Sequence, residues 1–177
     1  MPIRHKCFIS YHHADQEAVD QFVKEFDHNH DIFIARRLGK MPDDIINSTN
    51  TDYVMRRIRE DYIKDSTVTI VMCGKCTWAR RYVDWEIQAS LRSTESVTPN
   101  GLLAVKLPTF SKFPERFTMN LRSHNDSEEK GYAGSIEYPK SKLVLQKAIE
   151  WSFNRRSTHL KNIKNISKRF SNSKNCD

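Results

Sequence analysis

The chain has 177 residues, 38% hydrophobic and 29% charged, which suits one domain with a core of its own and some decoration. No run of 18 apolar residues occurs and the start, Met1-Pro2-Ile3-Arg4-His5-Lys6, lacks the apolar stretch of a secretory signal, so neither a membrane span nor export is expected. The four cysteines have no dense, even spacing, which argues against a disulfide framework and for the cytoplasm, and the net charge of +7 invites a nucleic-acid reading only until its location is considered.

Taken in chain order, residues 7–11 form a short β-rich run and predict a first strand. Asp15 stands where an N-cap belongs, followed by Ala18, Val19, Phe22, Val23 and Phe26 at helical spacing. Residues 32–35 predict a second strand and residues 36–50, polar with Gly39 and Pro42, a long loop. Val54, Met55, Ile58 and Tyr62 share one face of a second helix. Residues 67–73 are the strongest strand signal in the chain, closed by Gly74. Val83, Ile87 and Leu91 mark the buried stripe of a third helix, and residues 102–107 a further strand ended by Pro108.

Residues 109–139 are irregular, with room for an extra strand at 117–121 or 135–138. Leu145, Ala148, Ile149, Ser152 and Phe153 predict a closing helix. From position 155 onward seven Lys/Arg stand against one acid, so this end carries +6 and residues 1–154 only +1. The body is nearly neutral, which disfavours nucleic acid as its partner. We therefore divide the chain into a domain at 1–156 and a basic tail at 157–177. The tail reads as a solvated extension, with Leu160, Ile163, Ile166 and Phe170 spaced for a short amphipathic helix.

Strands alternating with helices predict an α/β flavodoxin-like fold, a parallel sheet with helices on both faces. Ligands of such sheets bind beyond the carboxyl ends of the strands, where the strand order reverses. That directs attention to residues 10–15, 36–50 and 74–86. Glu86 lies early in the third helix, to one side of the Val83/Ile87/Leu91 stripe. Asp84 lies on the other side, so only one of the two acids faces a given cleft, and Trp85 is expected to point away from the core and to suit a protein interface. By position alone, Glu86 also fits an acid that favours the helix dipole.

Phe8-Ile9-Ser10-Tyr11 followed by Asp15 resembles the opening strand and turn of TIR domains. Residues 66–74 resemble their third strand, and Thr77 through Tyr82-Val83-Asp84-Trp85-Glu86-Ile87 is similar to the segment bearing the family's catalytic glutamate. The Gly after the strand and the Val-x-x-Glu-Ile helix resemble the TIR-like branch that includes the signal-producing subunit of bacterial Thoeris anti-phage systems. The resemblance covers about residues 5–107 and implies an enzyme that cleaves the nicotinamide–ribose bond of NAD and cyclises the product into a cyclic ADP-ribose isomer. That messenger would activate a separate effector after a phage-derived trigger.

The resemblance makes NAD a substrate, with no cofactor and no metal, places the catalytic role on Glu86, and allows self-assembly into homo-oligomers. Phe8, Ser10, Tyr11, Arg37 and Tyr82 are its candidate NAD contacts. Tyr82 stands where the family usually has Trp. For Phe8, Ser10 and Tyr11, core packing and turn formation are equally good readings; for Arg36, Arg37 and Lys40, a solvated loop is.

One carboxylate suffices for this chemistry. Nicotinamide in NAD leaves without a proton, and the ribose becomes oxocarbenium-like, a charge that a single Glu stabilises. Cys73-Gly74-Lys75-Cys76 is a CxxC, but no second pair completes a zinc site and the helix begins too late for a redox motif. Receiver domains need an Asp where Cys73 stands, and a dinucleotide-binding Rossmann turn needs glycines that Ser10-Tyr11-His12-His13-Ala14 lacks. The competing expectation is a non-catalytic TIR-like interaction module.

Overall fold

The computed structural model describes residues 3–37, 47–121 and 131–177. Five strands run parallel: β1 (His5–Tyr11), β2 (Phe33–Arg37), β3 (Val68–Cys73), β4 (Gly101–Lys106) and β5 (Gly134–Glu137), in the order β2-β1-β3-β4-β5. The helices are α1 (Gln16–Val23), α2 (Thr51–Arg57), α3 (Arg81–Ser90), α4 (Glu115–Asn120) and α5 (Lys142–Thr158), with wide π-helical turns extending α1 over Lys24–Asn29 and α2 over Ile58–Ile63. This is the expected flavodoxin-like arrangement.

The two faces follow from the period-2 alternation of strands. Cys7, Ile9, Val68, Ile70, Met72, Leu103 and Val105 pack against Val19, Phe22 and Val23 of α1 and Leu145 and Ile149 of α5. The intervening Val71, Cys73, Leu102 and Ala104 meet Val83, Ile87 and Leu91 of α3 and Phe117 of α4. Phe8 joins Val54, Met55 and Ile58 of α2 and Trp85 and Ala89 of α3. The strand order reverses between β1 and β3, where Ser10 pairs with Val71 and Tyr11 with Met72. Strands on either side of that point connect in opposite directions, so the loops after β1 and β3 part and leave a crevice.

Several local expectations are corrected. The second strand runs to Arg37, so Arg36 and Arg37 belong to it and not to the loop; Lys40 lies outside the described residues. Of the two places for an extra strand, the second holds: β5 occupies it, whereas residues 115–120 form α4. Asp15 takes the N-cap position of α1 without capping it, because its carboxylate turns toward Thr77.

The basic tail is no solvated extension and no amphipathic helix. After a 3-10 turn at Leu160–Asn162 it crosses α3 as an irregular strap. Its backbone polar groups pair with side chains of the body, a pattern without periodicity and so invisible to helical spacing. Two of its cations also find acids, Arg169 with Asp52 and Lys174 with Glu115. The absence of a disulfide is likewise overturned: Cys76 is joined to Cys176. Cys73, the other half of the CxxC, is buried and free, as is Cys7. Among the described residues no helix is long and apolar enough to cross a membrane.

Candidate active site at the carboxyl edge of the sheet

Glu86 sits one turn and a half into α3, on the side that looks toward the end of β1. Ser10 points to the same side because it alternates with Ile9, whose side chain enters the opposite core. The two meet: the Ser10 hydroxyl donates to Glu86 Oε2. Both are buried, Glu86 at 6% exposure and Ser10 at 1%. Burial pushes the Glu86 carboxyl up to about 8, and the Ser10 hydrogen bond opposes that rise. Burial thus favours the neutral acid, and a positive charge placed beside it would favour the anion.

Asp84 has a different surrounding. Arg116 of α4, 1% exposed, donates to it through Nε (2.9 Å) and Nη2 (3.4 Å), and the Phe170 amide donates to Oδ2 at 3.0 Å. With its acceptors taken on the far side of the helix, Asp84 holds the strap and α4 and does not face Ser10. The wheel argument that separated the two acids is met by the geometry.

Trp85 is corrected. It is 5% exposed, stacks edge-on with Tyr82 at 5.5 Å and packs with Phe8 and α2, and its indole N–H donates to Phe170 O at 2.8 Å. The side of α3 on which Trp85 lies is covered by α2 and crossed by the strap, so a helical wheel, which knows only the sheet, assigns it to solvent.

The remaining candidates divide. Phe8 is fully buried between α2 and α3, beneath the site. Tyr82 is half-buried beside it, its hydroxyl accepting from Arg81 Nη2 at 2.9 Å. Tyr11 faces the α1 side, where its hydroxyl donates to Gln16 Oε1 at 2.7 Å; Gln16 in turn donates to Asp20 at 2.9 Å, and Arg37 pairs with Asp20. Tyr11 and Arg37 are thus in one polar network on the other face of the sheet from Ser10 and Glu86.

The loops that flank the crevice bring together residues from the windows 10–15 and 74–86 whose pairing spacing did not show. Gly74 lies against the Asp15 carboxylate so closely that any Cβ would displace it. Thr77 accepts from the Gly74 amide at 2.9 Å and stands 3.5 Å from Asp15 Oδ2. Asp15 is therefore drawn over the end of β3, and partial burial raises its pKa. His12 stacks edge-on with His13 at 4.2 Å, and burial, with help from His13 and Arg80, lowers it to about 4. A neutral imidazole offers a hydrogen bond to a ligand but no charge for a phosphate. The legible signal for Asp15 was a helix-start acid after a strand; its partner across the sheet was not legible.

The arrangement offers one buried, proton-holding carboxyl with a hydroxyl beside it, at the switch in strand order. Among the described residues no group of three or more His, Cys, Asp or Glu is placed to hold a metal ion. No curated protein matches the sequence. One family model does, over residues 8–112: Thoeris protein ThsB, TIR-like domain.

Proposed function

The chain belongs to the TIR-like domain family of Thoeris protein ThsB, and from that membership we propose that it is an enzyme that breaks the nicotinamide–ribose bond of NAD and closes the product into a cyclic ADP-ribose isomer. The signal would activate an effector in anti-phage defence. The observation that carries the reading is the buried Ser10–Glu86 pair at the carboxyl edge of the sheet, between β1 and β3.

In this reading NAD is the substrate and its ribose lies over Glu86. The C1′–N bond breaks, its electron pair leaves with nicotinamide and cancels the positive charge of the ring, and C1′ becomes cationic. The Glu86 carboxylate, aligned by Ser10, stabilises that charge in a site from which water is largely excluded. An internal hydroxyl then bonds to C1′ and passes its proton to Glu86, closing the ring. A carboxyl that rests protonated fits an enzyme that waits for a trigger, phage-derived in this reading, and for self-assembly. We place the reaction in the cytoplasm because NAD is abundant there; the Cys76–Cys176 disulfide withdraws the cysteine argument for that compartment.

An outward Trp85 would have suited a protein interface under either reading, and its burial removes that surface from both. The non-catalytic module keeps one observation: a groove of about 590 Å³ between β5 and α5, lined by Leu121, Ile136, Val144, Ala148 and Trp151, suits a protein contact.

Incubation with NAD, with and without lysate of phage-infected cells, followed by chromatography separates the two. The enzyme releases nicotinamide and a cyclic product in at least one condition, and Glu86→Gln lowers turnover at least 100-fold, the scale of a lost charge stabiliser. An absence of nicotinamide in every condition refutes the enzyme.

A further inference from the structure

The strap makes one continuous set of contacts with the helix that bears Glu86. It runs antiparallel to α3. Asn165 donates to Gln88 O at 3.0 Å near the helix end, and Phe170 meets Asp84 and Trp85 midway. At the helix start the Ser173 hydroxyl accepts from the Arg81 amide at 3.1 Å, the Lys174 amide donates to Ala79 O at 2.8 Å, and Arg80 Nη2 donates to Lys174 O at 3.1 Å. Arg80, the N-cap of α3, provides no side-chain cap of its own. Ser173 thus serves from 92 residues away the first-turn amide that a local Ser or Asp would normally serve. Three residues beyond Ser173, Cys176 is joined to Cys76 in the loop that leaves β3.

We propose that residues 163–177 are a positioning element for Glu86, capping and clamping α3 from outside, and that the Cys76–Cys176 disulfide is a reversible clip that holds the capping end in place. The two bonded cysteines are half-buried and so within reach of a reductant, whereas Cys7 and Cys73 are fully buried, their thiols kept protonated by burial. A dithiol supplies the two electrons and two protons: its thiolate attacks one sulfur, the Cys76–Cys176 bond breaks, and the dithiol leaves as its own cyclic disulfide with both cysteines as thiols. Release frees the strap's end, and the first turn of α3 loses its cap. Glu86 lies in the next turn, so the loss reaches the reacting carboxylate; of the candidate NAD contacts Tyr82 stands in the loosened turn, whereas Phe8, Ser10, Tyr11 and Arg37 are held on β1 and β2.

The catalytic arm of the test rests on the NAD reading; the structural arm does not. The full chain, purified without reductant, is unfolded and its thiols are counted, giving two before and four after dithiothreitol. Hydrogen exchange over residues 77–91 speeds up on reduction of the native chain. It is fast with or without dithiothreitol in Cys176→Ser and in Ser173→Ala, the latter with its clip intact. In the same samples kcat for nicotinamide release falls about five-fold, the equivalent of one lost helix cap, and KM changes less than kcat. Four thiols in the untreated protein, or unchanged exchange over α3 on reduction, overturn the proposal. Faster exchange with no nicotinamide from either form, with or without lysate of phage-infected cells, upholds the strap and refutes the NAD reading instead.

Discussion

Glu86 carries two opposite demands. Its burial favours the neutral acid, and the chemistry proposed for it needs the anion. The free enzyme's kcat/KM for NAD is therefore expected to rise with pH and level off above an apparent pKa of about 8, the value set by burial. The cationic substrate favours the carboxylate, so kcat should level off at lower pH than kcat/KM. Ser10→Ala removes the one bond that favours the charged form and moves the kcat/KM profile to higher pH. A profile that is flat from pH 6 to 9 would exclude Glu86 as the titrating group.

The same group leaves a mark on stability that needs no substrate. Its folded pKa lies above the unfolded 4.5, so the folded state holds a proton that the unfolded state has lost between pH 4.5 and about 8. The stability this contributes is complete below 4.5 and is lost as pH rises through 8. Glu86→Gln cannot lose it. In urea titrations the variant should nearly match the wild type near pH 5 and exceed it at pH 9, by on the order of 4–5 kcal/mol.

At the scale of elements, α3 is gripped on two sides. The sheet takes Val83 and Ile87, and the strap takes Asp84 and Trp85. Arg116 fastens the second side: beyond Asp84 it donates to Asn165 Oδ1 at 3.2 Å and to Ser167 O at 3.1 Å. Its removal would leave Asp84 as a buried charge held by one amide. Arg116→Ala is expected to cost about 3–5 kcal/mol by chemical denaturation, a loss that Arg116→Lys, with no fork to span Asp84 and the strap carbonyls, recovers only in part. A loss below about 1 kcal/mol would mean that the strap is held without it. A second buried polar cluster works at the far end of α3, where Thr69 and Ser90 lie 2.7 Å apart and Asn100 donates to Ser66 and Thr69.

For the molecule as a whole, the Cys76–Cys176 link spans 100 residues of sequence and encloses α3, β4, α4, β5 and α5. A crosslink of that span restricts the unfolded chain more than the folded one. Reduction should lower the stability of the whole domain by about 2–4 kcal/mol, read as a lower urea midpoint, with Cys176→Ser giving the reduced value under both conditions. Equal midpoints with and without dithiothreitol would show that the link contributes nothing to the domain.

The parallel sheet, its helices and the place of Glu86 were legible because each is written in local periodicity. Val83, Ile87 and Leu91 recur at helical spacing, and the run from residue 67 to 73 is as apolar as a strand buried on both faces must be. The separation of Glu86 from Asp84 followed from the same period, since neighbours two apart on a helix lie on different sides. Ser10 was brought to attention by its place in the strand, but its bond to Glu86 joins positions 76 residues apart. No spacing rule reports such a pair. Trp85, Arg116 and Cys76 were misread or passed over for one shared reason. Each has a partner in residues 163–177, beside α2 and Phe8 for Trp85 and Asp84 for Arg116, and that segment is held largely by backbone groups whose pairing depends on what they meet in space and not on the order of side chains along the chain.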